Sequence, residues 1–113
     1  MSSMTKSYID ITGEDFAEKV LQAPDMIVVN FTNQSNTCQI QEPEFEAISK
    51  EYQDRATFAR LDVTGQEALT QQWNIEGVPT LVFFKYGREV YRIPGVMMRD
   101  KLRRRIEGVL LAI

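Results

Sequence analysis

The chain has 113 residues, enough for one domain with a single core and too few for two. Its 43% hydrophobic and 26% charged content is that of a globular protein, and a net charge of -3 gives no electrostatic reason to expect a nucleic acid or an anionic membrane as partner. The absence of histidine removes imidazole acid-base chemistry and catalytic triads, and a single cysteine without histidine builds neither an internal disulfide nor a structural zinc site.

No apolar run is long enough to span a bilayer, and residues 1–7 lack the hydrophobic stretch of a signal peptide. The expectation is a cytoplasmic protein with a loose tail at 1–7 and one domain over 8–113.

Tyr8 to Ile11 reads as a short strand. Thr12-Gly13-Glu14-Asp15 then has the spacing of a capping box, and Phe16, Val20 and Leu21 follow at helical spacing. This helix is expected to end near Ala23, because Pro24 disfavours helical geometry in the residue before it. Met26 to Phe31 is an apolar run broken only by Asn30, as in a central strand covered on both faces. From about Thr37 the period becomes helical, with Ile40, Phe45, Ile48 and Tyr52 largely on one side. Pro43 within it removes a backbone donor and is expected to kink the helix, and Glu42, Glu44 and Glu46 read as its solvated face.

Thr57 to Val63 alternates like a strand, and Gln66 to Trp73 is rich in helix formers. Thr80 to Tyr86 and Glu89 to Ile93 are strand-like runs on either side of Gly87-Arg88, which reads as a hairpin turn. The last helix is expected from Arg99 onward, with Leu102, Ile106, Val109 or Leu110, and Ile113 facing inward. Its basic cluster, Arg99, Lys101, Arg103, Arg104 and Arg105, reads as a wet helix face. The order βαβαβαββα describes an α/β protein with parallel crossovers first and an antiparallel hairpin at the end.

Chemistry centres on Ser35-Asn36-Thr37-Cys38, which lies between the central strand and the helix that follows. A cysteine near a helix N-terminus can have a lowered pKa, whereas a buried one is a quiet structural thiol. Ser35 in front of the helix has the chemistry of an N-cap.

The element order, together with Gly77-Val78-Pro79-Thr80, Arg60-Leu61-Asp62-Val63, Phe83 to Arg88, Pro43 and Gly95, resembles the thioredoxin family from about Tyr8 to Ile113. The resemblance implies a thioredoxin fold: a central mixed sheet flanked by helices, a cis Val78-Pro79 bond facing the active site, and Gly95 lining a substrate groove. Counting back from Pro43, it places Cys38 at the second, resolving cysteine and Ser35 at the first, attacking one. The tryptophan that precedes the family motif is replaced by Gln34, and the acid that assists proton transfer is replaced by Asn30.

Two-thiol exchange needs one thiolate to attack and a second to resolve the mixed disulfide, so the cycle cannot close within this chain. The resemblance leaves a recognition surface of Val78, Pro79, Gly95 and Val96 with Gln34, Asn36 and Thr37, and with Trp73 nearby. Its expected partner is a protein or extended peptide segment, with no cofactor, metal, nucleic acid or membrane. The competing expectation is a monothiol oxidoreductase in which Cys38 forms a mixed disulfide that an external thiol resolves.

Overall fold

The structure, a computed structural model, describes residues 7–112. Five strands form one mixed sheet in the order β1-β3-β2-β4-β5: β1 (Ile9–Ile11), β2 (Ile27–Thr32), β3 (Thr57–Asp62), β4 (Thr80–Lys85) and β5 (Arg88–Pro94). β1 and β2 run parallel to β3, whereas β2 with β4 and β4 with β5 are antiparallel. The α-helices are α1 (Asn36–Tyr52), α2 (Glu67–Gln72) and α3 (Arg99–Ala112).

β2 organises both layers. All six of its residues are buried, and successive side chains point to opposite faces. Val28 joins the core beneath α1 and α3, with Phe45, Ile48, Phe58, Phe83, Leu102 and Ile106. Val29 and Phe31 join the core on the other face, with Phe16, Val20, Leu61 and Phe84. A strand that must be apolar on both sides reads as an unbroken run, which is why its position was visible in the sequence.

The first helix differs from expectation. Residues Ala17–Leu21 form a π-helical turn. Asp15 accepts the Thr12 N–H at 3.0 Å, but the Thr12 hydroxyl donates to that same carboxylate at 3.2 Å instead of capping a helix donor, so only half of the capping box forms. The Lys19 N–H still reaches Asp15 O four residues back, whereas the Gln22 N–H reaches Ala17 O five back, which is the π pattern.

The hairpin turn is displaced by one residue from Gly87-Arg88. Tyr86 and Gly87 have φ of 53° and 76°, and Arg88 pairs with Lys85. Two successive positive φ values give the mirror-image turn whose twist suits a two-residue hairpin. A Cβ on Gly87 would lie 2.6 Å from Leu21 O, so this glycine also lets the turn pack against the π-helical segment.

On α1 the buried side runs through Cys38, Gln41, Phe45, Ile48 and Tyr52, leaving Ile40 51% exposed rather than inside. The helix continues through Pro43. The acidic residues are not one solvated face. Glu44 is only 8% exposed and accepts the Arg99 backbone N–H at 2.7 Å, Nε at 3.0 Å and Nη2 at 3.2 Å. Those hydrogen bonds hold its carboxyl below the ordinary carboxylate range. Glu42 accepts Arg60 Nη1 at 2.8 Å and the Tyr8 hydroxyl. Only Glu46 fits the solvated reading, with Lys50 Nζ at 4.0 Å. The partners of Glu42 and Glu44 arrive from other elements, which helical periodicity alone does not reveal.

Of the tail expected at 1–7, residues 1–6 lie outside the described residues, and the Ser7 hydroxyl hydrogen-bonds that of Ser49. Ile113, expected on the inner face of α3, also lies outside them.

Candidate functional site

The segment entering β4 forms a cleft of about 460 Å3 with the end of β5, lined by Gly77, Val78, Pro79, Thr80, Pro94 and Gly95, with Asn74, Glu76 and Arg92 at its margin. The Val78-Pro79 peptide bond is cis. Thr80 Oγ1 donates to Gly77 O at 2.6 Å, and the Gly95 N–H donates to Pro79 O at 2.8 Å, joining the two walls. Gly95 has φ of 83°, while a Cβ there would meet nothing within 4 Å; backbone conformation, not crowding, selects glycine. Between these anchored positions, the N–H and C=O of Val78 make no hydrogen bond to a described residue.

Two side chains fix the walls. Arg92 donates to Asn74 O at 2.8 Å and Trp73 O at 2.7 Å while pairing with Glu89 at 2.8 Å, which clips the segment before the cis bond to β5. Gln41, fully buried on α1, donates to Met97 O at 3.0 Å and accepts the Met97 N–H at 2.8 Å, tying the loop after Gly95 to the helix.

Cys38 lines a neighbouring cleft. This second cleft of about 410 Å3 is lined by Thr32, Asn33, Gln34, Cys38, Glu42 and Arg60, together with Asp10, Ile11, Gln39 and Asp62. Cys38 is 2% exposed, and its Sγ accepts the Asn33 N–H at 3.3 Å. Ser35 is the N-cap of α1, its Oγ accepting the Cys38 N–H at 3.4 Å, while Asn33 Oδ1 accepts the Ser35 N–H at 2.8 Å. The cation on this cleft is committed: Arg60 meets Asp10 at 2.7 Å and Glu42 at 2.8 Å and lies 5.1 Å from the Tyr8 ring centroid. Burial pulls Arg60 down, but Asp10 and Glu42 outweigh it and keep its pKa above the ordinary value. The Tyr8 phenol is pushed up by burial and by the neighbouring Glu42 carboxylate. The two clefts share no lining residue. Among the described residues no group of three His, Cys, Asp or Glu side chains is arranged to hold a metal ion.

The mixed five-stranded sheet flanked by helices agrees with what comparison with known proteins gives. The thioredoxin family profile matches residues 7–108. The chain belongs to the thioredoxin family. Thioredoxin X of Arabidopsis thaliana, a chloroplastic protein, is 30% identical over 92% of this chain, which spans 59% of that longer relative. Thioredoxin C-2 of Corynebacterium nephridii is 31% identical over 88% of this chain and 93% of its own length. The crystal structure of a Malassezia sympodialis thioredoxin superposes with a TM-score of 0.82 at 28% identity, covering 94% of this chain and 93% of the other. The fold is therefore the thioredoxin fold.

Within this thioredoxin-family chain the lining residues singled out by sequence fall on two clefts beside the paired strands β2 and β4, where Phe31 is opposite Thr80. Val78, Pro79 and Gly95 line the cis-proline cleft, whereas Gln34 and Cys38 line the other. Asn36, Thr37 and Val96 are exposed but line neither. Trp73 packs inward, its ring centroid 5.7 Å from that of Phe16 and 5.2 Å from that of Phe84 in an edge-to-face pair. Asn30 is fully buried on β2, and neither its Nδ2 nor its Oδ1 has a partner among the described residues.

Arg92 and Gln41 were missed. The i, i+3 pair Glu89 and Arg92 is visible in the sequence, but the carbonyls that the guanidinium holds are not. Gln41 carries no signal, because an amide on a helix with Glu42 beside it looks solvated.

Proposed function

We propose that this chain is a polypeptide-binding member of the thioredoxin family that does not turn over disulfides with thiols of its own. The observation that carries this reading is the state of the chain's one thiol: Cys38 is the only cysteine in the sequence and is 2% exposed. Dithiol exchange needs attacking and resolving thiolates within reach of one substrate. Here the attacking position holds Ser35, whose oxygen caps α1, and the thiol behind it is buried.

The groove keeps what recognition needs. Val78 offers a backbone donor and acceptor with no partner among the described residues, beside Pro79 and Pro94, the arrangement by which an extended segment pairs with a strand-like edge. The opposing monothiol reading draws support from the redox names of the relatives and from the placement of Cys38 on a cleft wall; its 2% exposure argues against it.

The test pairs a reduction assay with a binding assay. With insulin as substrate and a chemical reductant, the native chain is expected to add little to the uncatalysed rate, while Ser35→Cys gains turnover. In a 15N NMR titration, insulin B chain with its cysteines carbamidomethylated is expected to shift the amides of Gly77, Val78, Thr80 and Gly95. Native turnover equal to that of Ser35→Cys, or absence of those shifts, overturns the reading.

A further inference from the structure

The basic residues of α3 are sorted between its two flanks. Arg99 and Arg103 turn toward α1: Arg99 is held by Glu44, and Arg103 by Glu51 at 2.7 Å and Asp100 at 3.0 Å. Glu107, on the same flank, accepts from Tyr52 at 2.6 Å and Arg55 at 3.2 Å. Lys101, Arg105, Gly108 and Ala112 recur at spacings of four, three and four along the other flank, and Arg104 lies beside them.

That second flank faces β5 across an open groove of about 370 Å3, lined by Val90, Tyr91, Arg104, Arg105, Gly108 and Val109, with Ala112 at its end. Its floor is apolar. Gly108 leaves the helix surface bare, and a Cβ there would meet nothing within 4 Å. Val90 is 39% exposed and occupies the bulge where β5 shifts register against Phe83 and Phe84.

The charge around this floor is one-sided. Arg105 meets the Tyr91 hydroxyl at 3.3 Å rather than a carboxylate, and Arg88, Lys101 and Arg104 have no carboxylate partner among the described residues. The carboxylates on these elements are committed elsewhere: Glu89 to Arg92, Asp100 to Arg103, and Glu107 to Arg55. A chain of net charge -3 thus places on an apolar groove two cations, Arg104 and Arg105, with no carboxylate partner among the described residues, and this groove shares no lining residue with the cis-proline or Cys38 clefts.

We propose that this groove docks an acidic peptide segment of a partner protein. One apolar side chain of that segment rests on Val90, Val109 and Ala112, and its flanking carboxylates meet Arg104 and Arg105. The one aromatic ring on the wall, Tyr91, already packs against Phe83 at 5.7 Å, which favours a peptide over nucleic-acid bases seeking a free stacking surface.

The test is a 15N NMR titration of the full chain with a capped peptide alternating glutamate and leucine, and with its glutamine counterpart. The glutamate peptide is expected to shift Val90, Tyr91, Arg105, Gly108, Val109 and Ala112, with Kd about 0.1–1 mM. The glutamine peptide, or the Arg104→Glu/Arg105→Glu variant, is expected to bind at least about fivefold more weakly, as the loss of two exposed ion pairs predicts. Gly108→Leu improves helix propensity and fills the groove; it is expected to stay folded by circular dichroism and abolish the shifts. Equal binding of the two peptides, shifts at Gly77 and Gly95 instead, undiminished binding by Gly108→Leu, or no shift at about 5 mM peptide overturns the proposal. So does tighter binding at the same amides by oligothymidylate or phosphatidylserine vesicles.

Discussion

Replacing Gln41 with methionine tests how the wall of the cis-proline cleft is held. The substitution keeps side-chain length and helix propensity, and methionine adapts to the buried space. It removes both hydrogen bonds to Met97, made at 3.0 and 2.8 Å, and leaves a backbone donor and acceptor without their partner. Each neutral bond contributes about 1 kcal/mol net, so a loss of about 2 kcal/mol is expected. Met97 is half-buried, so water takes over part of the orphaned pairing and the loss stays near that value. Urea unfolding is expected to move to a midpoint about 1–2 M lower with an unchanged m-value. In the native state, the amides of Gly95 and Met97 are expected to exchange faster with solvent, and carbamidomethylated B chain to bind more weakly. A stability change below about 0.5 kcal/mol with unaltered exchange would refute the reasoning, leaving the loop anchored by the Gly95 to Pro79 bond alone.

Three further outcomes follow from individual contacts. Glu44 has a folded pKa depressed by Arg99, so its contribution is present above the unfolded value of about 4.3 and disappears as pH falls through the folded one; urea midpoints of the native chain are therefore expected to drop more steeply than those of Glu44→Gln between about pH 5 and pH 3, and parallel curves would contradict the pairing. Gly87→Ala combines positive φ with a 2.6 Å approach to Leu21 O and is expected to cost at least about 2 kcal/mol in chemical denaturation; a near-neutral effect would show that the turn relaxes freely. Alkylation of Cys38 by iodoacetamide is expected to be slower by about 100-fold or more in the native chain than in urea, since labelling requires local opening; equal rates would favour the monothiol reading.

The sheet was legible because its central strands are buried on both faces and therefore carry apolar runs: β2 reads as a double-sided strand, and the runs of β4 and β5 flank a glycine. What escaped reading depends on partners distant in sequence or on hydrogen bonds one residue longer or shorter. Phe16, Val20 and Leu21 do not distinguish an α-helix from a π turn, since both bury the same residues. Tyr86 gave no hint of positive φ, so the turn was placed one residue late. Glu44 looked solvated because Arg99 comes from the other end of the chain. The motif at Ser35 to Cys38 and the proline at 79 were both visible, because each is a short local pattern.

The two apolar cores on opposite faces of the sheet have no side chain in common. Truncating Ile48 in one and Phe84 in the other therefore removes contacts that do not compete for the same space, and their energetic penalties are expected to add rather than interact. For an engineer this makes the molecule two workable blocks: the α1 and α3 side can be repacked for robustness while the opposite face, which carries Trp73 and the approach to the cis-proline cleft, keeps its shape.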